Sequence, residues 1–323
     1  MDPDPIKPAF GRSIEGLGVD AHLADAARRA VGGRLAAVLS LYPLVHEHGA
    51  DEARPIHRLR VATRRADAAL TVFRPVLPRK KTRRVRIHLR ELRSAASAVR
   101  AADVHAGMLL ALVDATPIHD AARPAIALAA GMTIADRQHA FAHELSGFAE
   151  APRRRLHRHA SGLLDALEEE TVVGVFGPVA RSAVHRAVER ARGAAAADLT
   201  DPPRLHRLRI ALKRLRYTIE AIGDAAPALG ADRVYPPLLE AQDRFGHVND
   251  AQELTGWITG LRDRLSAGPV DLPVSILESL DTLARDQRRR AEEAHRALLA
   301  WWPGSDLRAA LHADDFSRHE DHA

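Results

Sequence analysis

The chain has no cysteine among its 323 residues, which excludes disulfides, thiolate metal sites and a cysteine nucleophile. Aromatic residues make up only 4%, with three tryptophans and three tyrosines, so stacking platforms for single-stranded nucleic acid are few. Period-two runs of Val, Ile, Thr and Tyr are missing, and with them the pattern of sustained strands. No uninterrupted apolar stretch approaches the roughly 20 residues of a membrane-spanning helix. The N-terminal MDPDPIKPAF carries acids and prolines where a signal peptide has a basic segment and an apolar run. A cytoplasmic protein without a membrane partner is expected. Walker, GxSxG and HExxH motifs are absent, and no catalytic residue, metal ligand set or cofactor is predicted.

What is present is alanine, leucine and arginine. The first two are strong helix formers, and the chain reads as all-α. Only four lysines occur, so the positive charge is carried by arginine, whose planar fork suits bidentate contact with phosphate. Its distribution is uneven. From Arg54 to Arg93 fourteen Lys/Arg residues face two acids, Asp67 and Glu91.

Two such basic stretches are related. HRLRVATRRADAAL at His57–Leu70 aligns without gaps onto HRLRIALKRLRYTI at His206–Ile219, 149 residues later. The same offset carries Glu91–Asp103 onto Glu240–Gln252. A shared offset implies duplication of a unit far longer than a solenoid repeat. The pattern therefore predicts two tandem four-helix bundles, one in residues 20–170 and one in 171–302. An extension (1–19) and a weakly ordered tail (303–323) would flank them. Proline punctuation places the helices of the first copy near Asp20–His46, Pro55–Phe73, Pro78–Leu112 and Ala121–Ala151. Those of the second lie near Gly177–Asp198, Pro203–Gly223, Pro237–Leu265 and Ser275–Trp301, with Asp201 as an N-cap. Arg153–Glu170 reads as a joining helix.

At 100° per residue, Leu208, Leu212, Leu215, Ile219 and Ile222 form one apolar seam. His206, Arg209, Lys213 and Arg216 form a second line centred roughly 120° away. The equivalent line in the first copy is His57, Arg60, Arg64 and Asp67, so its last position has lost the cation. Arg65 and Arg214 lie off these lines. A third line, Arg83, Arg86, Arg90 and Arg93, follows spacings of three and four on the next helix. Cations stacked at helical spacing without acids repel one another, which points to an anionic partner. A leading histidine beside arginines is held neutral until an anion favours its protonation.

HxxRxxxRR at His57–Arg65 and HxxRxxxKRLR at His206–Arg216, in a duplicated helical chain, resemble the CHAD family, the conserved histidine α-helical domain. AVRAADV at Ala98–Val104 and FGHVNDA at Phe245–Ala251 resemble that family's segment on the third helix of each bundle. The resemblance implies bundles related by a pseudo-twofold axis around a basic central groove that binds inorganic polyphosphate, without catalysis and in some members on polyphosphate granules. It implies anion contacts by His57, Arg60, Arg64, His206, Arg209, Lys213 and Arg216, with Arg65 and Arg214 as second-rank matches. Helical geometry alone adds Arg83, Arg86, Arg90 and Arg93. The alternative is a basic helical protein that binds nucleic acid; by the present reading that binding is only non-specific. Asp67, and Ala101 where an acid is expected beside Arg100, depart from the family pattern. A di-metal site is not expected from the isolated Glu292-x-x-His295 motif or from the His139/His143 pair.

Overall fold

In a computed structural model, these alanine- and leucine-rich segments form ten α-helices among the described residues, which are 10–115, 123–146, 150–169, 172–268 and 272–313. In chain order they are α1 (Leu23–His48), α2 (Ala53–Val72), α3 (Arg79–Ala115), α4 (Arg123–Ala140), α5 (Glu150–Glu169), α6 (Phe176–Ala195), α7 (Pro202–Ile222), α8 (Ala231–Ser266), α9 (Val274–Trp301) and α10 (Asp306–His312). The described residues contain no strand, only an isolated antiparallel bridge between His22 and Val175. The fold is all-α. The start of α7 lies 149 residues after that of α2, Pro202 against Ala53, matching the offset of the motifs.

Three local expectations change. α8 begins at Ala231, so Pro236 and Pro237 lie inside it. It follows Gly230, whose left-handed φ of 67° reverses the chain between a short 3-10 turn and the helix. Asp201 does stand at the N-cap of α7, but its carboxylate makes no capping hydrogen bond and pairs with Arg204 at 3.3 Å. Part of the expected tail is helical. Ser305 Oγ caps α10 by accepting from the Arg308 amide at 3.3 Å, and Leu307 and Leu311 are fully buried. The remainder of that tail, from residue 314, lies outside the described residues.

Two compact units are present. The first comprises the described residues of 1–96, 143–242 and 304–323, and the second those of 97–142 and 243–303. Each draws helices from both halves of the sequence, so the units do not coincide with residues 20–170 and 171–302. In the first, α2 packs on α1 and also on α7, which packs in turn on α6. The seam of α7 is buried as its spacing requires, with Leu208, Leu212 and Leu215 fully so. Each such leucine contributes about 1.5–3 kcal/mol on burial. Phe73 stacks on Phe176 with ring centroids 5.0 Å apart.

The second unit packs α4 on α9 around Leu109, Ile126, Leu254, Ile258, Leu280 and Leu283. Two partly buried polar pairs tie it as well: Arg137 Nε donates to Asp103 at 2.7 Å, and Trp257 Nε1 to Asp136 at 3.1 Å. Among the described helices only α3 has a stretch long and apolar enough to cross a membrane by length and composition. Val99 and Leu109 within it are fully buried in the fold.

Candidate functional site

In the first unit α2, α3, α6 and α7 enclose a cleft of about 620 Å³. Arg64 enters it from α2, Arg86, Arg90 and Arg93 from α3, Arg190 from α6, and Lys213 and Arg214 from α7. Asp67 is the one acid in the lining among the described residues. Small residues at Ala68, Ala187 and Ala211 leave the space open between the helices. Among the described residues Arg64, Arg90, Arg190 and Arg214 have no hydrogen-bond or ion-pair partner.

The crowding has an electrostatic signature. Burial lowers the pKa of Arg93; Arg64 and Arg90 push it the same way, and Asp67 opposes them. Asp67 has a local task that follows from this arrangement. It pairs with Arg86 Nε at 3.2 Å, while Arg86 Nη2 donates to Thr71 Oγ1 at 2.5 Å. Asp67 thus holds a neighbouring cation in place.

A second arginine cluster in the same unit has the opposite character. Glu220, 3% exposed, accepts from Arg65 Nε at 2.6 Å, Arg216 Nε at 2.8 Å and Tyr235 Oη at 2.8 Å. Burial opposes ionisation of Glu220, but the hydrogen bonds and charges of Arg65 and Arg216 outweigh it and hold the carboxyl below its ordinary range. Arg34 donates to the Glu220 carbonyl at 3.1 Å and to the Gly11 carbonyl at 2.6 Å. Burial and the charge of Arg65 lower Arg34 to about 10, against the pull of Glu220. This hub fastens the segment after residue 9 to α1, α2 and α7. Its cations are consumed by a buried acid.

The predicted residues therefore separate. Arg64, Arg86, Arg90, Arg93, Lys213 and Arg214 converge on the cleft, and Arg83 lines an adjoining hollow that shares Arg86 and Arg90 with it. Arg65 and Arg216 turn to Glu220 instead, and Arg216 Nη1 also donates to Gln242 at 2.9 Å. Arg60 Nη1 donates to the Arg93 carbonyl at 3.0 Å, tying α2 to α3. Arg209 is partly buried, and His57 and His206 are exposed; none of the three lines the cleft. His57 lies instead in a smaller hollow with Phe10 and Arg58.

On α7 the cleft-facing arc is that of Ile210, Lys213, Arg214 and Tyr217, rotated roughly 70° from the predicted line. Hence Arg214, set aside by the angular reading, faces the cleft, and Arg216 does not. Sequence reasoning missed Arg190, which sits among mixed charges beside Glu189 and Arg192, themselves paired at 2.7 Å. No acid-free run marked it. Among the described residues no three His, Asp or Glu side chains are grouped to hold a metal ion.

The model of the CHAD domain family matches residues 29–259. The chain belongs to the CHAD family. No curated relative matches it. Among solved structures, the CHAD-domain chain is similar to PptA from Streptomyces chartreusis, with 21% identity, covering 87% of this chain and 99% of that one at a TM-score of 0.63. It is also similar to the CHAD domain from the plant Ricinus communis, with 19% identity, covering 96% and 97% at a TM-score of 0.62. At these identities the likeness establishes the CHAD fold.

Proposed function

We propose that this chain binds inorganic polyphosphate, without catalysing its turnover, in the cleft between α2, α3, α6 and α7. The observation that carries this reading is the convergence, among the described residues, of seven Lys/Arg side chains on one cleft with a single acid in its lining. The CHAD family is associated in general with polyphosphate binding, which supports the assignment. Close cations destabilise the empty cleft, and a chain of phosphates relieves that repulsion while its condensed counterions are released. Four of the cations carry no internal partner among the described residues, so their desolvation is compensated chiefly by the ligand. Among the described residues the lining has one aromatic side chain, Tyr217, and the cleft needs no base-reading element. Nucleic acid is expected to bind only as a weaker, non-specific polyanion. In the cell the reading places the protein in the cytoplasm, in contact with polyphosphate granules.

The test is binding of polyphosphate at several salt concentrations by the parent and by a variant carrying Arg90→Glu and Lys213→Glu. Affinity in the parent should fall steeply with salt, and the variant should bind on the order of 100-fold more weakly at 0.1 M salt, given the slope contributed per phosphate contact. Equal binding by both proteins, or displacement of polyphosphate by duplex DNA at equal phosphate concentration, would falsify the reading. Release of phosphate on addition of Mg²⁺ or Mn²⁺ would overturn its non-catalytic part.

A further inference from the structure

The cleft does not end at Arg86 and Arg90. Those two side chains also line a second hollow of about 470 Å³, whose other cations are Arg74, Arg79 and Arg83. The residues Arg79, Arg83, Arg86, Arg90 and Arg93 follow spacings of 4-3-4-3 along α3, which places them on one face. That face rises about 21 Å from first to last at 1.5 Å per residue. From Ala68 to Arg90 the sequence has no acid. Arg74, Arg79 and Arg83 are exposed and, among the described residues, have no hydrogen-bond or ion-pair partner. The hollow is therefore cationic, open and joined to the cleft through shared walls.

We infer that Arg74, Arg79 and Arg83 form a second subsite that continues the cleft along α3, so that the protein selects linear polyanions long enough to occupy both. This rests on the polyphosphate reading of the cleft and adds a length requirement to it. A short anion, confined to the cleft, gains nothing from the extension. A longer chain adds contacts to Arg83, Arg79 and Arg74 in turn, and each contact releases further counterions. The apolar floor at Leu77 and Ile87 supports the arginine stems without supplying a competing acid.

The experiment measures binding of tripolyphosphate and of a long-chain polyphosphate, over a range of salt, by the parent and by a variant with Arg74→Ser and Arg79→Ser. Both residues are exposed, and an unchanged melting temperature checks the fold. The parent should prefer the long chain. The variant should lose roughly tenfold or more in long-chain affinity at 0.1 M salt, with the slope of log K against log salt reduced by about 1.4–1.8 for two lost contacts. Its tripolyphosphate affinity should match that of the parent. A variant that keeps the parent's length preference and salt slope overturns the extension while leaving the cleft assignment intact. A parent that binds neither anion overturns the cleft assignment itself.

Discussion

Arg64 and Arg65 are neighbours in sequence and belong to the same motif, yet the structure uses them for opposite ends. One residue apart on a helix is a rotation of 100°. Arg64 faces the cleft without an internal partner among the described residues, and Arg65 reaches the buried carboxylate of Glu220. The basic stretch on α7 splits in the same way at different positions, with Lys213 in the cleft and Arg216 on Glu220. Two kinds of arginine result. Those at the hub are stabilised by a shared acid inside the protein. At the cleft, Arg64, Arg90, Arg190 and Arg214 have no such partner among the described residues. A count of basic residues cannot separate the two kinds, because the separation depends on where one glutamate is buried.

The sharpest way to break this comparison is to remove the acid. Glu220→Ala should destabilise the fold by about 3–5 kcal/mol, since it leaves buried cations uncompensated, and denaturant unfolding reads this directly. Next comes the neighbouring pair. Arg65→Ala should cost on the order of 3 kcal/mol by breaking a buried ion pair. By contrast Arg64→Ala should change stability by no more than about 0.5 kcal/mol while weakening polyphosphate binding roughly five- to eightfold at 0.1 M salt. If the two variants show the same profile, the distinction between hub and cleft is lost.

Strong acid should weaken the hub. Glu220 has a lowered pKa in the folded protein, so its contribution is fully present above the unfolded carboxylate value of about 4.3. It disappears as pH falls through the lowered folded value. Glu220→Gln should flatten that part of the stability profile, measured as unfolding free energy between neutral and strongly acidic pH. The smallest effect is expected from the motif histidines. Both are exposed outside the cleft lining, so His57→Ala and His206→Ala should each alter stability by no more than about 0.5 kcal/mol. The same bound corresponds to roughly a twofold change in affinity, measured by titration at neutral pH.

Much of the molecule is legible in one dimension because helices are local. Helix positions followed from apolar spacing and proline, and the buried seam at Leu208, Leu212 and Leu215 came from the same periodicity. The third-helix line of Arg86, Arg90 and Arg93 was placed by spacing alone and does line the cleft. Where sequence reasoning failed, the missing term was long-range. Pro237 read as a helix start, yet α8 runs from Ala231. Arg216 read as an anion contact because its acid, Glu220, sits one turn on along α7, and the sequence does not reveal that this carboxylate is buried.

By itself, then, the sequence determined that this protein is helical, that its arginines are concentrated in particular stretches, and which residues share a helix face. These are consequences of 100° geometry and composition. Only the tertiary structure decided which of those faces look at one another. It brought α3 and α6 to the same cleft as α2 and α7, turned Arg214 towards it, and gave Arg65 and Arg216 to Glu220. The reason is that charge pairing acts through space: a cation's role depends on whether packing sets an acid beside it or leaves it facing an open cleft.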